Sequence, residues 1–171
     1  MDGIKIFEGL IPENACESII QEGLSHPRIK AGIGKDNEIS KGRSTKVAFI
    51  DNEFLKSYIH QLVFAHYDYD VIEAEDLQFA LYEKGDFYGY HKDADEYNRR
   101  VLSVSVLLSK PFDYEGGDLI FYTEDEELPI VNFQGSIIVF PSYIYHKVTP
   151  ITKGTRYSLV QWFKGHESNN K

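Results

Sequence analysis

The stretch Tyr82-Glu-Lys-Gly-Asp-Phe-Tyr-Gly-Tyr-His91-Lys-Asp93 places a histidine and a carboxylate two residues apart in an extended segment. Alternate side chains of a strand point to the same face, so His91 and Asp93 would lie on one side and could bind one metal ion. His-x-Asp triplets are common by chance. Further ligands therefore have to come from elsewhere in the chain.

The third candidate ligand is His146, in Phe140-Pro-Ser-Tyr-Ile-Tyr-His146. It begins a predicted strand just after a proline turn, where it can sit at the mouth of a β-scaffold. Two histidines and one carboxylate on one face of an ion form the facial triad of non-haem Fe(II) oxygenases, in which other positions stay open. A lone histidine is more often a surface residue, so the combination carries the prediction.

A candidate anchor for an organic acid follows in Arg156-Tyr-Ser158-Leu-Val-Gln-Trp162. In a strand, Arg156, Ser158 and Trp162 share one face. The planar fork of an arginine matches a carboxylate. Arg156 could therefore hold the far carboxylate of a small dicarboxylic acid across a barrel from the metal, with Ser158 as an additional hydroxyl donor.

The fold is predicted from the pattern after residue 70, which is that of strands. Two helices precede it, one opened by Pro12 and ended by Pro27, and one over 52–66 capped by Asp51. A mobile loop is predicted at 30–44, because it carries three glycines and no periodicity. Short early strands are predicted at 4–7 and 47–50, and eight more at 77–83, 87–91, 101–108, 118–122, 128–132, 136–140, 145–149 and 155–163. These indicate an antiparallel sandwich or barrel with the helices outside one sheet.

Composition narrows the functional classes. The net charge of −9 argues against binding to a phosphate backbone, which needs a basic face. The single cysteine, Cys16, excludes an internal disulfide and fits a reducing compartment. Neither a signal pattern nor an apolar run of the roughly 20 residues that span a bilayer is present. The expectation is one cytoplasmic domain over residues 1–171 that binds neither nucleic acid nor membrane, with its oligomeric state open.

Three stretches together resemble the 2-oxoglutarate- and Fe(II)-dependent dioxygenases, specifically the prolyl 4-hydroxylase branch and its bacterial PKHD-type relatives. They are Tyr82-x-x-Gly-x-x-Tyr88-x-x-His91-x-Asp93, Leu107-Leu-Ser-Lys-Pro-x-x-Tyr-x-Gly-Gly-x-Leu119 and Gly135-Ser-Ile-Ile-Val-Phe-Pro-Ser-x-x-x-His146-x-Val-x-Pro-Ile-Thr-x-Gly-x-Arg156. The resemblance covers about residues 77–164 and implies a double-stranded β-helix (jelly-roll, cupin-like) core. Residues 1–76 would then form a helical support region.

The resemblance also implies roles for single residues. His91, Asp93 and His146 would bind Fe(II) and form the catalytic centre. Arg156 would pair with the C5 carboxylate of 2-oxoglutarate. Tyr82 and Ser158 would add hydrogen bonds to this cosubstrate, and Tyr88, Arg100 and Trp162 would line the substrate pocket. The cofactors implied are Fe(II), 2-oxoglutarate and O₂, with ascorbate as a candidate reductant. A departure is that 104–108 lacks the tyrosine that oxygen-sensing relatives supply to the cosubstrate.

The resemblance favours hydroxylation of proline in a peptide or protein, with release of succinate and CO₂. The segments 30–44 and 92–100 are where substrate contacts are expected. A free amino acid or another protein side chain remains an alternative substrate. A nucleic-acid demethylase is opposed by the negative charge. A non-catalytic metal-binding β-barrel, or a zinc hydrolase, would need neither Arg156 nor Ser158.

Overall fold

The computed structural model describes residues 3–31 and 42–167, which form two helices and fifteen strands. In chain order these are β1 (Lys5–Phe7), α1 (Glu13–Ser25), β2 (Ile29–Lys30), β3 (Arg43–Ser44), β4 (Lys46–Ile50), α2 (Glu53–His66), β5 (Tyr69–Ala74), β6 (Leu77–Tyr82), β7 (Phe87–His91), β8 (Arg100–Leu107), β9 (Tyr114–Gly116), β10 (Leu119–Thr123), β11 (Glu126–Pro129), β12 (Ile137–Pro141), β13 (Tyr145–Val148), β14 (Ile151–Gly154) and β15 (Arg156–Glu167).

The strands form two main antiparallel sheets. The larger sheet has eight strands in the order β1-β12-β8-β15-β6-β4-β2, with β5 pairing with the far end of β15. The smaller sheet has the order β11-β10-β13-β7-β3, and β9 pairs with β14 in a separate two-stranded ribbon. This is the predicted double-stranded β-helix, and the prediction of the fold is confirmed.

Alternating side chains give the larger sheet two different faces. In β12, Ile137 and Val139 belong to a core shared with Cys16 and Ile59 of the two helices, whereas Ile138 and Phe140 belong to a second core. The second core also contains Leu119, Phe121 and Val148 of the smaller sheet, so it lies between the two sheets. The period of two along each strand therefore directs one set of residues to the helices and the other to the interior of the sandwich.

The N-terminus of α2 corrects one prediction. The side chain of Asn52, and not that of Asp51, caps the helix by accepting a hydrogen bond from the backbone N–H of Leu55 at 3.0 Å. Asp51 lies one residue too early for this and pairs with Lys56 on the surface at 2.7 Å. Asp and Asn are both good N-cap residues, and Asn52 is the cap because it directly precedes the first helical residue.

Several strands extend beyond the predicted set. β2, β3, β9 and β14 are two to four residues long, which is too short for an alternating pattern to be recognised. β5 was not predicted either, and β15 continues to Glu167 because its last residues pair with β5. Residues 32–41 of the predicted loop lie outside the described residues. No helix in the described part of the chain is long and apolar enough to cross a membrane.

Candidate active site

The three predicted metal ligands meet on the smaller sheet. His91 ends β7 and is the cross-strand partner of His146 in β13, while Asp93 follows two residues after His91. The Nε2 atoms of His91 and His146 lie 3.6 Å from the Oδ1 and Oδ2 atoms of Asp93, respectively, and all the candidate ligand atoms lie within 4.8 Å of one another. Two donors 3.6 Å apart can both bind one ion through bonds of about 2 Å.

Backbone carbonyls fix the orientation of both imidazole rings. The Nδ1 atoms of His91 and His146 lie 2.9 Å and 3.0 Å from the carbonyl oxygens of Gly89 and Ile144. Since a carbonyl oxygen only accepts, each Nδ1 carries the proton and each Nε2 keeps its lone pair for a metal. Tyr88 stacks on the His91 ring with centroids 3.5 Å apart and limits its rotation.

Asp93 is held by the turn between β12 and β13. The backbone N–H groups of Asp93 and Ala94 both donate to the carbonyl oxygen of Ser142 at 3.0 Å. The carboxylate is buried, and its Oδ2 atom has no hydrogen-bond partner among the described residues. A buried carboxylate oxygen without a donor is unfavourable unless a cation completes its environment. This unpaired oxygen is compatible with a metal ion bound by the cluster.

The protonation states also suit metal binding. Burial by itself raises the pKa of Asp93, but the two imidazoles beside the carboxylate outweigh burial and hold the pKa well below its usual value. Burial lowers the pKa of His146 to about 4, against the opposing effect of Asp93. At neutral pH the cluster therefore offers an ionised carboxylate and a neutral His146, which are the forms that bind metals.

Arg156 is the second charged feature of the site. It is buried at 2% exposure, and Nη1 donates to the hydroxyl of Ser158 at 3.0 Å. Its Nε atom has no hydrogen-bond partner, and none of the ion pairs found among the described residues includes it. Tyr82 lies opposite Arg156 in the pairing of β6 with β15. A buried guanidinium without a carboxylate partner can bind an anion.

One cavity between the sheets contains both features. Of the predicted site residues, all but Arg100 line it: Tyr82, Tyr88, His91, Asp93, His146, Arg156, Ser158 and Trp162. The remaining lining residues were not predicted individually: Arg43, Gln78, Ser105, Leu119, Phe140, Val148 and Val160. The predicted face of β15 is thus directed into this cavity. Ser105 is the residue that the 104–108 stretch contributes, in the absence of a tyrosine.

Arg43 is the most informative residue that was not singled out. It lies in the predicted loop 30–44, where substrate contacts were expected, and the structure assigns it to β3 as the cross-strand partner of Tyr88. Its guanidinium lies 4.3 Å from the Tyr88 ring centre and donates to Gln78 at 3.2 Å, while Nε is buried without a partner. Arg43 is buried because β3 pairs with β7, and a strand of two residues is too short to be recognised from the sequence.

Arg100 is the predicted residue that does not line the cavity. Its Nε and Nη2 atoms donate to the two carboxylate oxygens of Glu75 at 2.8 Å and 2.7 Å. Its guanidinium lies 3.9 Å from the centre of the Trp162 ring. The Arg100 guanidinium is thus engaged by Glu75 and by the indole face of Trp162, and its contact with a substrate stays a prediction. Of the segment 92–100, the residue that does line the cavity is Asp93.

Residues 77–164 match the 2OG-Fe(II) oxygenase superfamily. The chain is 32% identical over 159 residues to a PKHD-type hydroxylase of Prochlorococcus marinus, and the match covers 91% of this chain and 71% of that protein. It is 36% identical over 101 residues to a PKHD-type hydroxylase of Alteromonas mediterranea, covering 54% of this chain and 45% of that protein.

Two solved structures share the fold. A Pseudomonas putida prolyl-4-hydroxylase aligns with a TM-score of 0.79 at 21% identity, covering 96% of this chain and 93% of that chain. The second is a prolyl hydroxylase from Trichoplax adhaerens in complex with a peptide fragment of the hypoxia inducible factor oxygen degradation domain. It aligns with a TM-score of 0.86 at 19% identity, covering 96% of this chain and 84% of that chain. At such identities the likeness concerns the fold.

Proposed function

Because this chain belongs to the 2OG-Fe(II) oxygenase superfamily and is thereby a dioxygenase, we propose that it hydroxylates a C–H bond of proline in a peptide or protein. 2-Oxoglutarate and O₂ are the cosubstrates, succinate and CO₂ the coproducts, and ascorbate an auxiliary reductant. Bound Fe(II) supplies the activation of O₂. The residues of one cavity bind, orient and shield the reactants.

The proposed iron ligands are His91, Asp93 and His146. Support comes from the unpartnered Oδ2 atom of Asp93, the free Nε2 atoms of both histidines, and the distances that bring all three within reach of one ion. The ring orientations are set by backbone carbonyls before any metal binds. The carboxylate at Asp93 favours hydroxylation over halogenation, because related halogenases lack this carboxylate and bind chloride in its place.

The proposed role of Arg156 is to bind the C5 carboxylate of 2-oxoglutarate. Its burial, its lack of a carboxylate partner and the hydroxyl of Ser158 on Nη1 support this role. Water is largely excluded here, so a charge-assisted hydrogen bond between guanidinium and carboxylate is strong. The Tyr82 ring, 5.3 Å from the guanidinium carbon, closes one side of this position.

The choice of peptidyl-proline over a free amino acid rests on which polar groups the cavity leaves unpaired. Arg43 Nε and Trp162 Nε1 are buried donors without partners. Among the described residues that line the cavity, Asp93 is the one carboxylate, and it is assigned to iron. A proline residue within a peptide offers carbonyl acceptors and no N–H donor. A free amino acid brings an ammonium group, which would find no carboxylate of its own among these residues.

The observation that carries the proposal is that one cavity contains both the His–Asp–His cluster and the unpaired Arg156. The test of this observation is anaerobic titration of the purified protein with Fe(II) and 2-oxoglutarate, followed by visible absorption. A metal-to-ligand charge-transfer band is expected in the wild type. It should be absent in His91→Ala and weaker in Arg156→Ala. The intact protein showing no band would exclude the proposed site.

The substrate is tested separately. Proline-containing peptides are incubated with the protein, Fe(II), 2-oxoglutarate, ascorbate and O₂, and succinate and the peptide mass are measured. A mass gain of one oxygen atom on the proline residue is expected, together with succinate release. The matched control is the same peptide with alanine in place of proline. Equal oxidation of both peptides, or oxidation of free proline alone, would contradict the peptidyl-proline assignment.

A further inference from the structure

The outer face of the smaller sheet carries a group of exposed tyrosines. Tyr122 of β10 and Tyr145 of β13 are cross-strand partners, and they alternate with residues such as Phe121 that fill the interior. The ring of Tyr90 in β7 lies against that of Tyr122, with centroids 6.1 Å apart. Tyr143, in the turn before β13, is 55% exposed. Aromatic side chains gathered on an exposed face are typical of protein-binding surfaces.

Part of this face forms an open groove, which is lined by Lys92, Tyr122, Glu124, Tyr143 and Tyr145 among others. None of these five residues lines the cavity of the candidate active site. Lys92 and Tyr145 are chain neighbours of the proposed iron ligands, and successive side chains of a strand point to opposite faces. The groove is therefore a separate feature, on the other side of the smaller sheet from the cavity.

Two tyrosines of this face already contact cations of the same chain. The Nζ atoms of Lys92 and Lys147 lie 4.5 Å from the ring centres of Tyr145 and Tyr90, respectively. Both distances are within the roughly 6 Å range of a cation–π interaction. Lys147 also pairs with Glu127 at 2.7 Å, and the hydroxyl of Tyr90 donates to the same carboxylate oxygen at 2.8 Å. The face thus holds a cation between an aromatic ring and a carboxylate.

Tyr122, Tyr143 and Glu124 offer the same two kinds of group without a cation from the described part of the chain. No described lysine or arginine lies over either ring, and none forms an ion pair with Glu124. Glu124 and Asp125 form the two-residue turn between β10 and β11, with φ of +52° and +66°. Asn and Gly are the residues that such turns favour. The turn places a carboxylate beside two accessible rings in spite of this preference.

We propose that Tyr122, Tyr143 and Glu124 bind an arginine side chain of a partner protein, outside the active site. A guanidinium is planar, so it can stack on a tyrosine ring while its N–H groups donate to a carboxylate. The groove is open, which suits a side chain presented by a protein surface. The adjoining run Glu124-Asp-Glu-Glu127 and the net charge of −9 favour a partner segment that is basic.

The first test is an NMR titration of the ¹⁵N-labelled chain with a short glycine–serine peptide that contains arginine. The matched control peptide carries citrulline, which has nearly the same shape as arginine and no charge. The amide signals of Tyr122, Glu124 and Tyr143 should shift with the arginine peptide only, and binding should weaken as salt is added. Equal shifts with the citrulline peptide, or shifts confined to other residues, would exclude the site. A lysine peptide that binds as tightly would exclude the preference for arginine.

The second test uses variants of the turn. Glu124→Gln should weaken binding of the arginine peptide about two- to fivefold, as for the loss of an exposed ion pair. Asp125→Asn is the matched control, because it removes the same charge from the same turn at a residue outside the groove. It should bind the peptide almost as the wild type does. Equal weakening in the two variants would show that net charge alone attracts the peptide and would overturn the proposal.

The third test concerns the aromatic contact. Tyr143→Leu should weaken binding about two- to fivefold, because it removes the ring from an exposed cation–π contact. Tyr143→Phe keeps the ring and should bind as the wild type does, which separates the ring from the hydroxyl. The proposal is wrong if Tyr143→Leu binds with unchanged affinity.

A second copy of the chain is the alternative occupant, and sedimentation velocity without peptide tests it. A monomer is expected at all concentrations. A dimer that dissociates in Glu124→Gln would assign the groove to self-association and exclude a separate partner. None of these measurements requires iron or cosubstrate, so their results are independent of the proposed function.

Discussion

Tyr82 and Arg156 are cross-strand partners in the antiparallel pairing of β6 with β15, and the guanidinium carbon of Arg156 lies 5.3 Å from the centre of the Tyr82 ring. Tyr82 opens the first of the three sequence stretches and Arg156 closes the third, so one residue pair joins these two stretches. Both side chains are buried between the sheets. The proposed cosubstrate position therefore depends on strand register as much as on the identity of either residue.

Asp93→Asn should weaken Fe(II) binding by more than about 100-fold. The substitution keeps the shape of the side chain but removes the charge that favours the cation, and loss of an outer-shell partner alone commonly costs 10–100-fold. Isothermal titration calorimetry of the metal-free protein measures the effect. Asp113→Asn, at an exposed position, is the matched control and should bind as the wild type does. Equal affinity in Asp93→Asn would remove Asp93 from the ligand set.

Arg156→Lys should raise the KM for 2-oxoglutarate by about tenfold or more. Lysine retains the positive charge but lacks the planar fork that matches a carboxylate. Ser158→Ala, which removes the hydroxyl on Nη1, should have a smaller effect in the same direction. Initial rates of succinate release at varied 2-oxoglutarate give both values. Arg28→Lys is the matched control, because it makes the same exchange at an exposed position.

Gly117→Ala should impair 2-oxoglutarate binding and lower stability. Gly117 has φ +67°, and an added Cβ would lie 2.4 Å from Ile151 Cδ1 and 2.9 Å from Arg156 Cδ. Gly85→Ala is the matched control, because Gly85 has φ +91° but nothing within 4 Å of the added atom. Both variants carry the backbone strain of a positive φ, and only Gly117→Ala should displace Arg156. Comparison of the thermal midpoint with the KM for 2-oxoglutarate separates the two effects.

Asn52→Ala should lower the free energy of unfolding by about 1 kcal/mol, the usual cost of losing an N-cap. The side chain caps α2 through the N–H of Leu55 and also donates to Glu22 at 3.0 Å. Asp51→Ala should have little effect, because Asp51 makes an exposed ion pair with Lys56. Urea unfolding of the metal-free protein measures both. The reverse order of effects would show that the helix begins one residue earlier.

The sequence by itself determined the features that depend on local periodicity. Alternation along β15 directs Arg156, Ser158 and Trp162 into one cavity. Backbone geometry alone sets this period, so no knowledge of neighbouring strands was needed. Asp93 lies beyond the end of β7, and hydrogen bonds to Ser142 hold its backbone there. The double-stranded β-helix followed from the number and spacing of the predicted strands together with the resemblance.

Only the tertiary structure decided which residues from different strands meet. Arg43 reaches the cavity because β3 pairs with β7 in the register that sets Arg43 opposite Tyr88. Arg100 lies against Trp162 because β5 and β8 flank β15, which brings Glu75 to its guanidinium. Strand register arises from non-local pairing, and a shift by one residue reverses which side chains face the cavity. For that reason the ligands could be predicted from the chain, whereas the contacts that position Trp162 could not.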